Sequence, residues 1–269
     1  MRLSEARVVL TGASGGIGLA IATALCASGA HVLAVARHRE PLDALLKRYP
    51  NNLCWVGADL TVAAERREVQ AEAESMGGIN LLINAAGVNH FAMLEQLDDN
   101  EINAMLAVNI SAPICLTKIL LPMLKQADSA MVVNVGSTYG SIGYAGYANY
   151  CASKFALRGF SEALRRELAD TRVSVLYVAP RATRTSMHSP AAQALNDALK
   201  ANVDDPRTVA TAVIHAIAGD RRDLYLGWPE RFFVHLNSLL PHLVDRGLRK
   251  QLPLIRRLSQ KTDQENLKP

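Results

Sequence analysis

The chain has 269 residues, 49% of them hydrophobic and 20% charged, with a formal net charge of +4. This length and apolar content favour one folded domain over disorder, and the scattered basic residues of its first two-thirds argue against a nucleic-acid-binding protein. The first residues, MRLSEARVVLTG, do not resemble a signal peptide, and no uninterrupted apolar stretch reaches the roughly 18 residues of a membrane span, so we expect a cytoplasmic protein.

Short β-branched runs alternate with helical patterns along the whole chain. Near-continuous apolar strands that alternate with helices are typical of a parallel sheet covered on both faces. The pattern predicts an α/β fold, a single doubly wound Rossmann-type parallel sheet of about seven strands flanked by helices. We expect strands within residues 6–12, 31–37, 53–59, 79–87, 130–137, 172–180 and 223–228, with helices at 17–30 and 41–49 among those between them.

The first strand leads into the sequence TGASGGIG, residues 11–18. Gly12 permits a tight turn, Gly16 lets a ligand approach the backbone, and Gly18 lets the helix pack on the strand. The helix N-terminus offers free N–H groups and a positive dipole end to a pyrophosphate. The loop therefore predicts a dinucleotide site, to which we also assign Ser14, Gly15 and Ile17.

The end of the second strand indicates which dinucleotide binds. NAD sites usually place an acid there for the ribose 2′-hydroxyl, whereas NADP sites use a cation for the 2′-phosphate. Here the strand ends Ala36-Arg37-His38-Arg39, and no acid occurs before Glu40. The guanidinium of Arg37 can bind a phosphate through two hydrogen bonds, so we expect NADP(H) to be favoured over NAD(H). The alternative is an exposed arginine without a ligand.

Four tyrosines occur in STYGSIGYAGYANYCASK, residues 137–154. A phenol, with its pKa near ~10, exchanges protons poorly at neutral pH unless its ionised form is favoured. Residues four apart share a helix face, and among these tyrosines only Tyr150 has a lysine, Lys154, at that spacing. Ser137 ends the preceding strand and is expected in the same crevice. We predict Tyr150 as the general acid/base.

Several motifs occur in a characteristic order between about residues 8 and 185. They are the glycine loop, Asp59 in GADL, NAAG at 84–87, Asn109 in LAVNI, Ser137 and YCASK at 150–154. In this order and spacing, the chain resembles a classical short-chain dehydrogenase/reductase.

The resemblance implies an oxidoreductase that interconverts a small-molecule carbonyl and an alcohol. Tyr150 would exchange a proton with the substrate oxygen, and Ser137 would hydrogen-bond that oxygen. Lys154 would lower the pKa of the phenol and hold the nicotinamide ribose, while Asn109 would hold a proton-relaying water. The resemblance also implies a homodimer or homotetramer and further cofactor contacts from Asp59, Leu60, Asn84, Ala85, Ala86, Gly87, Pro180, Thr183 and Thr185.

The residues around Tyr150 predict a substrate pocket, with ordinary loop packing as the alternative. Where the family usually has glycine after the proline of YVAP, this chain has Arg181. A side chain of Arg181 that enters the pocket would favour an acidic substrate; one that faces solvent would not. The segment 186–205 corresponds to the mobile lid of the family. We assign to the pocket Thr138, Tyr144, Tyr147, Asn89, His90, Arg181 and Met187.

Three segments define the expected organisation of the chain. Residues 1–228 form the dinucleotide-binding and catalytic domain, and residues 259–269 form a flexible tail. Between them, residues 229–258 carry apolar side chains at helical spacing and six arginines and lysines, which predicts an amphipathic helical extension of the same domain, interrupted near Pro241 and Pro253. Three uses remain open for it: a cap over the cleft, a subunit contact, or peripheral membrane contact.

Two other interpretations of function also remain open. One is a non-catalytic dinucleotide-binding sensor or scaffold, against which the intact Ser137, Tyr150 and Lys154 argue. The other is an epimerase or dehydratase on the same fold. The four cysteines have no metal-ligand spacing and lie in apolar runs, so we expect buried free thiols and no metal site.

Overall fold

The computed structural model describes residues 1–187 and 189–266, with side chains described as far as residue 260. Seven parallel strands form one sheet in the order β3-β2-β1-β4-β5-β6-β7. This confirms the doubly wound fold. The order reverses between β1 and β4, and a crevice therefore opens beyond their carboxyl ends. The strands are β1 Arg7–Thr11, β2 His31–Val35, β3 Leu53–Val56, β4 Leu81–Asn84, β5 Ala130–Val135, β6 Val173–Ala179 and β7 Asp223–Tyr225.

Helices cover both faces of the sheet. On one face, α1 and α8 pack side by side with α2 next to them; on the other lie α3, α5 and α6. The helices are α1 Gly16–Ala27, α2 Asp43–Arg48, α3 Ala63–Ser75, α4 Asp99–Leu106, α5 Ala112–Gln126, α6 Ala148–Glu167, α7 Pro190–Ala198, α8 Pro206–Ala218, α9 Glu230–Leu239, α10 Pro241–Arg249 and α11 Leu252–Asn266.

Each observed strand lies within its predicted range and is shorter than it, and the helix predicted at 17–30 begins at Gly16 and ends at Ala27. The last strand stops at Tyr225 instead of Trp228, because Gly227 adopts a φ of +91°, outside the extended region. The helix predicted at 41–49 is divided into a 3₁₀ turn, Glu40–Leu42, and α2.

One helical stretch among the described residues, Asp99–Gln126, is long and apolar enough to cross a bilayer. It contains α4 and α5, and Leu116, Leu120 and Leu124 of α5 pack on the sheet. Length and composition alone are therefore misleading here, because the apolar side of this helix belongs to the core.

The cysteines differ from the expectation of four buried thiols. Cys26 and Cys151 are buried, Cys115 is half-buried, and Cys54 is exposed. Cys54 lies on β3, one of the two edge strands of the sheet. The expectation is thus wrong for Cys54.

The C-terminal extension folds as three helices, α9, α10 and α11. The first break falls directly before Pro241 and the second just before Leu252 and Pro253, as predicted. Helix α11 packs on α7 and continues to Asn266, so the tail expected from residue 259 begins inside a helix. Ser259 is buried there; the last three residues of the chain lie outside the described residues.

Candidate active site

The glycine loop between β1 and α1 is closely packed on its surroundings. Gly12 has a φ of +65°, and a Cβ on it would lie 2.7 Å from the backbone nitrogen of Ala86. A Cβ on Gly18 would lie 2.1 Å from the carbonyl oxygen of Gly12. Only glycine therefore fits at either position. The close neighbour of Gly18 is the loop itself, rather than the strand that we expected.

The loops after β1, β4 and β6 enclose one long cleft. A Cβ on Gly16 would lie 2.7 Å from Cγ2 of Thr185, so the loop after β6 faces the glycine loop directly. Thr11 Oγ1 accepts hydrogen bonds from the backbone N–H groups of Ala85 and Ala86, both at 3.0 Å, and thereby joins the ends of β1 and β4. Every residue that we assigned to the cofactor lines this cleft, except Asn84.

The side chain of Asn84 does not line the cleft. Its side chain is buried below the cleft, where Nδ2 donates to Asn134 Oδ1 at 2.8 Å and to Thr117 Oγ1 at 3.1 Å. Asn134 in turn donates to Ser161 of α6 at 2.9 Å. Asn84 therefore belongs to a buried polar chain that links the ends of neighbouring strands to the helices covering them.

Arg37 and Asp59 lie at one end of the cleft, beyond β2 and β3. Asp59 Oδ1 accepts hydrogen bonds from the backbone nitrogen of Thr61 at 2.9 Å and from its hydroxyl at 2.7 Å. These bonds, and then the positive charge of Arg37, lower the pKa of Asp59 below its ordinary value. Arg37 itself is exposed and lines the cleft.

Tyr150 and Lys154 lie at the other end, one turn apart on α6. Lys154 Nζ is 5.6 Å from the centroid of the Tyr150 ring and donates to the carbonyl oxygen of Val135 at 3.1 Å. Burial raises the pKa of Tyr150 to about 12, against the opposing effect of a hydrogen bond with Ser137. Burial also lowers the pKa of Lys154 to about 8. Burial of the Tyr150 phenol therefore outweighs the opposing effect of Ser137, and the lowering of this pKa by Lys154 stays a prediction.

Ser137 is positioned by a residue that sequence reasoning missed. The hydroxyl of Tyr177, on β6, donates to the carbonyl oxygen of Ser137 at 3.2 Å and accepts from its backbone nitrogen at 3.5 Å. A Cβ on Gly136 or Gly140 would lie within 2.4 Å of that hydroxyl, so both glycines leave room for it. The spacing of glycines around Ser137 is the one signal in the sequence that could have indicated such a neighbour.

Asn109 lies in a π-helical turn, Ala107–Ser111, between α4 and α5. Such turns frequently occur at functional sites. Its Oδ1 accepts from the backbone nitrogen of Val88 at 2.8 Å, and its Nδ2 donates to Ser153 Oγ at 3.0 Å. A Cβ on Gly87 would lie 3.3 Å from Asn109 Oδ1 and 3.5 Å from Lys154 Nζ. Asn109 and Lys154 thus flank the same glycine at the cleft.

The tyrosines form one aromatic cluster next to Tyr150. Tyr139, which we did not assign to the site, is its centre: its ring centroid lies 5.2 Å from those of Tyr144 and Tyr147 and 6.3 Å from that of Tyr150. The hydroxyl of Tyr144 donates to Gln251, just before α11. The extension therefore contacts the aromatic wall of the site.

The assigned pocket residues divide into two groups. Five of the seven line a small cavity beside Ser137 and Tyr150: Thr138, Tyr147, Asn89, Arg181 and Met187. Tyr144 and His90 do not line this cavity. Tyr144 packs behind Tyr139, and Nδ1 of His90 lies 3.1 Å from a carboxylate oxygen of Glu101 on α4.

Arg181 neither projects freely into the cavity nor faces solvent. Its Nε and Nη2 bind the two carboxylate oxygens of Asp204 at 3.0 and 2.7 Å, and its Nη1 binds Glu230 at 3.1 Å. Two carboxylates therefore neutralise the guanidinium that we considered for an acidic substrate. Arg181 instead joins the loop after β6 to the end of the 186–205 segment and to the start of α9.

We expect Arg181→Met to lower the free energy of unfolding by about 1–3 kcal/mol, because two partly buried carboxylates lose their shared partner. Unfolding in urea measures the change, and Arg184→Met, at an exposed position three residues away, is the control. Equal urea midpoints for the two variants would contradict a structural role for Arg181.

Comparison with known proteins agrees with this geometry. The family model of the short chain dehydrogenases matches residues 6–196. A 3-oxoacyl-(acyl-carrier-protein) reductase of Vibrio harveyi is 31% identical over 224 residues, which cover 80% of this chain and 90% of that protein.

Two solved structures share the fold. A short chain dehydrogenase of Burkholderia cenocepacia, crystallised in complex with NADP, has a TM-score of 0.80 and 25% identity, covering 92% of this chain and 99% of that one. A short chain dehydrogenase/reductase of Burkholderia phymatum, in complex with NAD, has a TM-score of 0.82 at 21% identity, covering 90% and 96%. The matched family, the parallel sheet and the cleft that brings together Ser137, Tyr150 and Lys154 lead to one conclusion: the chain belongs to the short-chain dehydrogenase/reductase family of oxidoreductases.

Proposed function

We propose that the protein is an NADP(H)-dependent oxidoreductase that interconverts a carbonyl and an alcohol, with Tyr150 as general acid/base. The observation that carries this proposal is the convergence of Tyr150, Ser137 and Lys154 at one end of a cleft whose other end is formed by the glycine loop and Arg37. One ligand that spans this cleft would reach both ends.

The cleft fits a dinucleotide. Gly12, packed against the backbone of Ala86, and Gly16, packed against the side chain of Thr185, leave no room for a Cβ at either position, and the N-terminus of α1 opens onto the cleft. Asn89 Oδ1, on the opposite wall, is buried without a hydrogen-bond partner among the described residues. When bound, the nicotinamide gives or takes the hydride. The glycine loop would hold the pyrophosphate, Lys154 the nicotinamide ribose, and Thr183 and Thr185 the nicotinamide end.

The protein's own contribution in the direction of reduction is a proton. With a pKa of about 12, the Tyr150 phenol is protonated at neutral pH and can donate to the carbonyl oxygen of the substrate. Ser137 donates a second hydrogen bond to that oxygen as charge develops on it. Lys154, charged below its pKa of about 8, favours the phenolate that remains, and Asn109 would hold the water that returns a proton through Lys154.

The preference for NADP(H) rests on Arg37. It follows Ala36 at the end of β2, it is exposed at the cleft, and no acid stands at that strand end to receive a ribose 2′-hydroxyl. The similar structures named above contain either dinucleotide, so the residues of this chain carry the argument.

We expect Arg37→Ala to raise the KM for NADPH by about 10–100-fold, the range for losing a charge-assisted contact to phosphate, and to leave the KM for NADH nearly unchanged. Initial rates with each cofactor measure both constants. Arg39→Ala is the control, because Arg39 binds Asp43 at 3.1 Å and lies outside the cleft. Parallel changes in both KM values would remove Arg37 from this role.

The reaction itself is tested by following NADPH absorbance with a panel of ketones, aldehydes and acyl derivatives. A relative that reduces a 3-oxoacyl group makes the acyl derivatives a rational first choice. Assembly as a homodimer or homotetramer, location in the cytoplasm and membership of residues 229–258 in the same domain complete the proposal, and they rest on family resemblance and on the contacts of α11 with α7.

A further inference from the structure

The positive charge of the chain is concentrated in the C-terminal extension. Residues 1–228 contain 21 lysines and arginines and 21 aspartates and glutamates, so that this part is formally neutral. Residues 229–258 contain six basic and two acidic residues. One of the two acids, Glu230, already binds Arg181. The excess charge therefore belongs to α9, α10 and the start of α11.

Together with Trp228 directly before it, the same segment exposes six large apolar side chains. The most exposed members are Leu239, 77% exposed, and Trp228, 71% exposed. The ring centroids of Trp228 and Phe232, and of Phe232 and Phe233, are 5.8 Å apart, so the aromatic rings form one row. We call this surface the apolar ridge; it consists of Trp228, Phe232, Phe233, Leu239, Leu240 and Leu243.

The apolar ridge is fixed to the body of the protein. Val234 of α9 and Val244 of α10 are buried and anchor their helices. Asn237 Nδ2 donates to the carbonyl oxygen of Ser141 at 2.9 Å, and Glu230 binds Arg181 at 3.1 Å. The exposed side chains therefore stay outside the core although both helices are docked on it.

From these features we infer that α9 and α10 dock on the surface of an anionic phospholipid bilayer. Arg231, Arg246, Arg249 and Lys250 are exposed beside the apolar ridge, and none forms an ion pair with a side chain that the structure describes. Each basic residue near an anionic bilayer contributes to binding, while tryptophan, phenylalanine and leucine enter the boundary between headgroups and acyl chains.

Two other roles for α9 and α10 are less compatible with their charges and lengths. A second copy that docked on the ridge by two-fold symmetry would bring two clusters of unpaired cations face to face. Neither helix is long enough to span a membrane, since α9 has 10 residues, α10 has 9, and a span needs about 20. A peripheral helix pair that lies in the interface meets both constraints.

The start of α9, two residues after Trp228 of the apolar ridge, borders the substrate cavity. Glu230, the first residue of α9, lines that cavity together with Ser137 and Tyr150. Docking would thus place lipid beside the cavity. The inference itself does not depend on the proposed reaction, because it is carried by the exposed side chains and charges of α9 and α10.

Co-sedimentation of the full chain with vesicles tests the inference. We expect binding to vesicles of phosphatidylcholine and phosphatidylglycerol in equal parts, little binding to phosphatidylcholine alone, and weakening by salt. Leu239→Ser/Leu243→Ser and Arg246→Glu/Arg249→Glu should each weaken binding by about tenfold or more. Leu94→Ser/Arg67→Glu, at exposed positions away from the ridge, should bind like the parent.

The outcomes separate the alternatives. Absence of binding, equal binding to both kinds of vesicle, or equal binding by all variants would overturn the inference. So would a dimer in sedimentation analysis that Leu239→Ser/Leu243→Ser converts to monomer, because the ridge would then be an interface between copies. Turnover of NADPH in vesicle-free buffer should stay at the parental level in every variant, so a failure here leaves the proposed reaction untouched.

Discussion

Replacing Tyr150 by phenylalanine is expected to lower kcat by about 10²–10⁴-fold, the usual contribution of a positioned general acid. The ring remains, and with it the packing against Tyr139 and Tyr147. The variant lacks the phenol proton of Tyr150 and the hydrogen bond between Tyr150 and Ser137. The KM for NADPH should change little, because Lys154 and the glycine loop are unaltered. Steady-state rates of NADPH oxidation measure both quantities.

Tyr139→Phe is the matched control for this experiment. Tyr139 lies in the same aromatic cluster, at the centre of its contacts, and its burial raises the pKa of its phenol well above the ordinary value. Turnover near the parental level in Tyr139→Phe, beside a large loss in Tyr150→Phe, assigns the chemistry to one hydroxyl. A loss shared equally by the two variants would mean that the cluster matters only as packing.

Replacing Lys154 by methionine is expected to abolish most turnover and to raise stability at neutral pH. Lys154 is 4% exposed, and burial lowers its pKa from 10.5 to about 8. The difference corresponds to about 3 kcal/mol of unfavourable burial of the ammonium. Methionine has a similar shape and no charge, so it avoids this cost, although the hydrogen bond to Val135 is lost.

The difference in free energy of unfolding between Lys154→Met and the parent should decrease as the pH rises. The pKa of Lys154 is lower in the folded state than in the unfolded state, so the unfolded state binds more protons between pH 8 and 10.5. The unfavourable free energy of burying the ammonium therefore decreases as the pH rises through this window. The excess free energy of unfolding of Lys154→Met over the parent should therefore be largest at pH 7 and shrink above pH 8. Cys26, whose pKa burial raises to about 11, affects parent and variant alike.

Urea unfolding from pH 7 to about pH 10 measures this difference. Lys47→Met, at an exposed position of α2, is the control and should show no such trend. A difference between Lys154→Met and the parent that stays constant with pH would contradict a buried, depressed lysine.

The sequence was sufficient for those parts of the site that depend on local spacing. Tyr150 and Lys154 share a face because both lie on one helix, and the glycine loop follows from the alternation of strand and helix around Gly12 and Gly18. The carboxyl ends of parallel strands lie at the same edge of the sheet, so the strand pattern alone predicts that Ser137 and Arg37 share a cleft.

Contacts between residues distant in the chain account for what the sequence did not reveal. Arg181 binds Asp204 and Glu230, which lie 23 and 49 residues further along the chain. Tyr144 binds Gln251, which lies 107 residues further along. No periodicity encodes such pairs. For the same reason the burial of Tyr139 and the exposure of Cys54 depend on which elements cover them, and the pKa of Tyr150 is raised mainly by its burial.

The most direct test of the account is a mass balance for the first carbonyl compound that supports NADPH oxidation, with cofactor consumed and product formed measured in the same reaction. One alcohol should form for each NADPH oxidised, and both product formation and NADPH oxidation should be lost in Tyr150→Phe. Binding of NADPH without turnover of any carbonyl or alcohol, or an isomerised or dehydrated product without net consumption of NADPH, would contradict it.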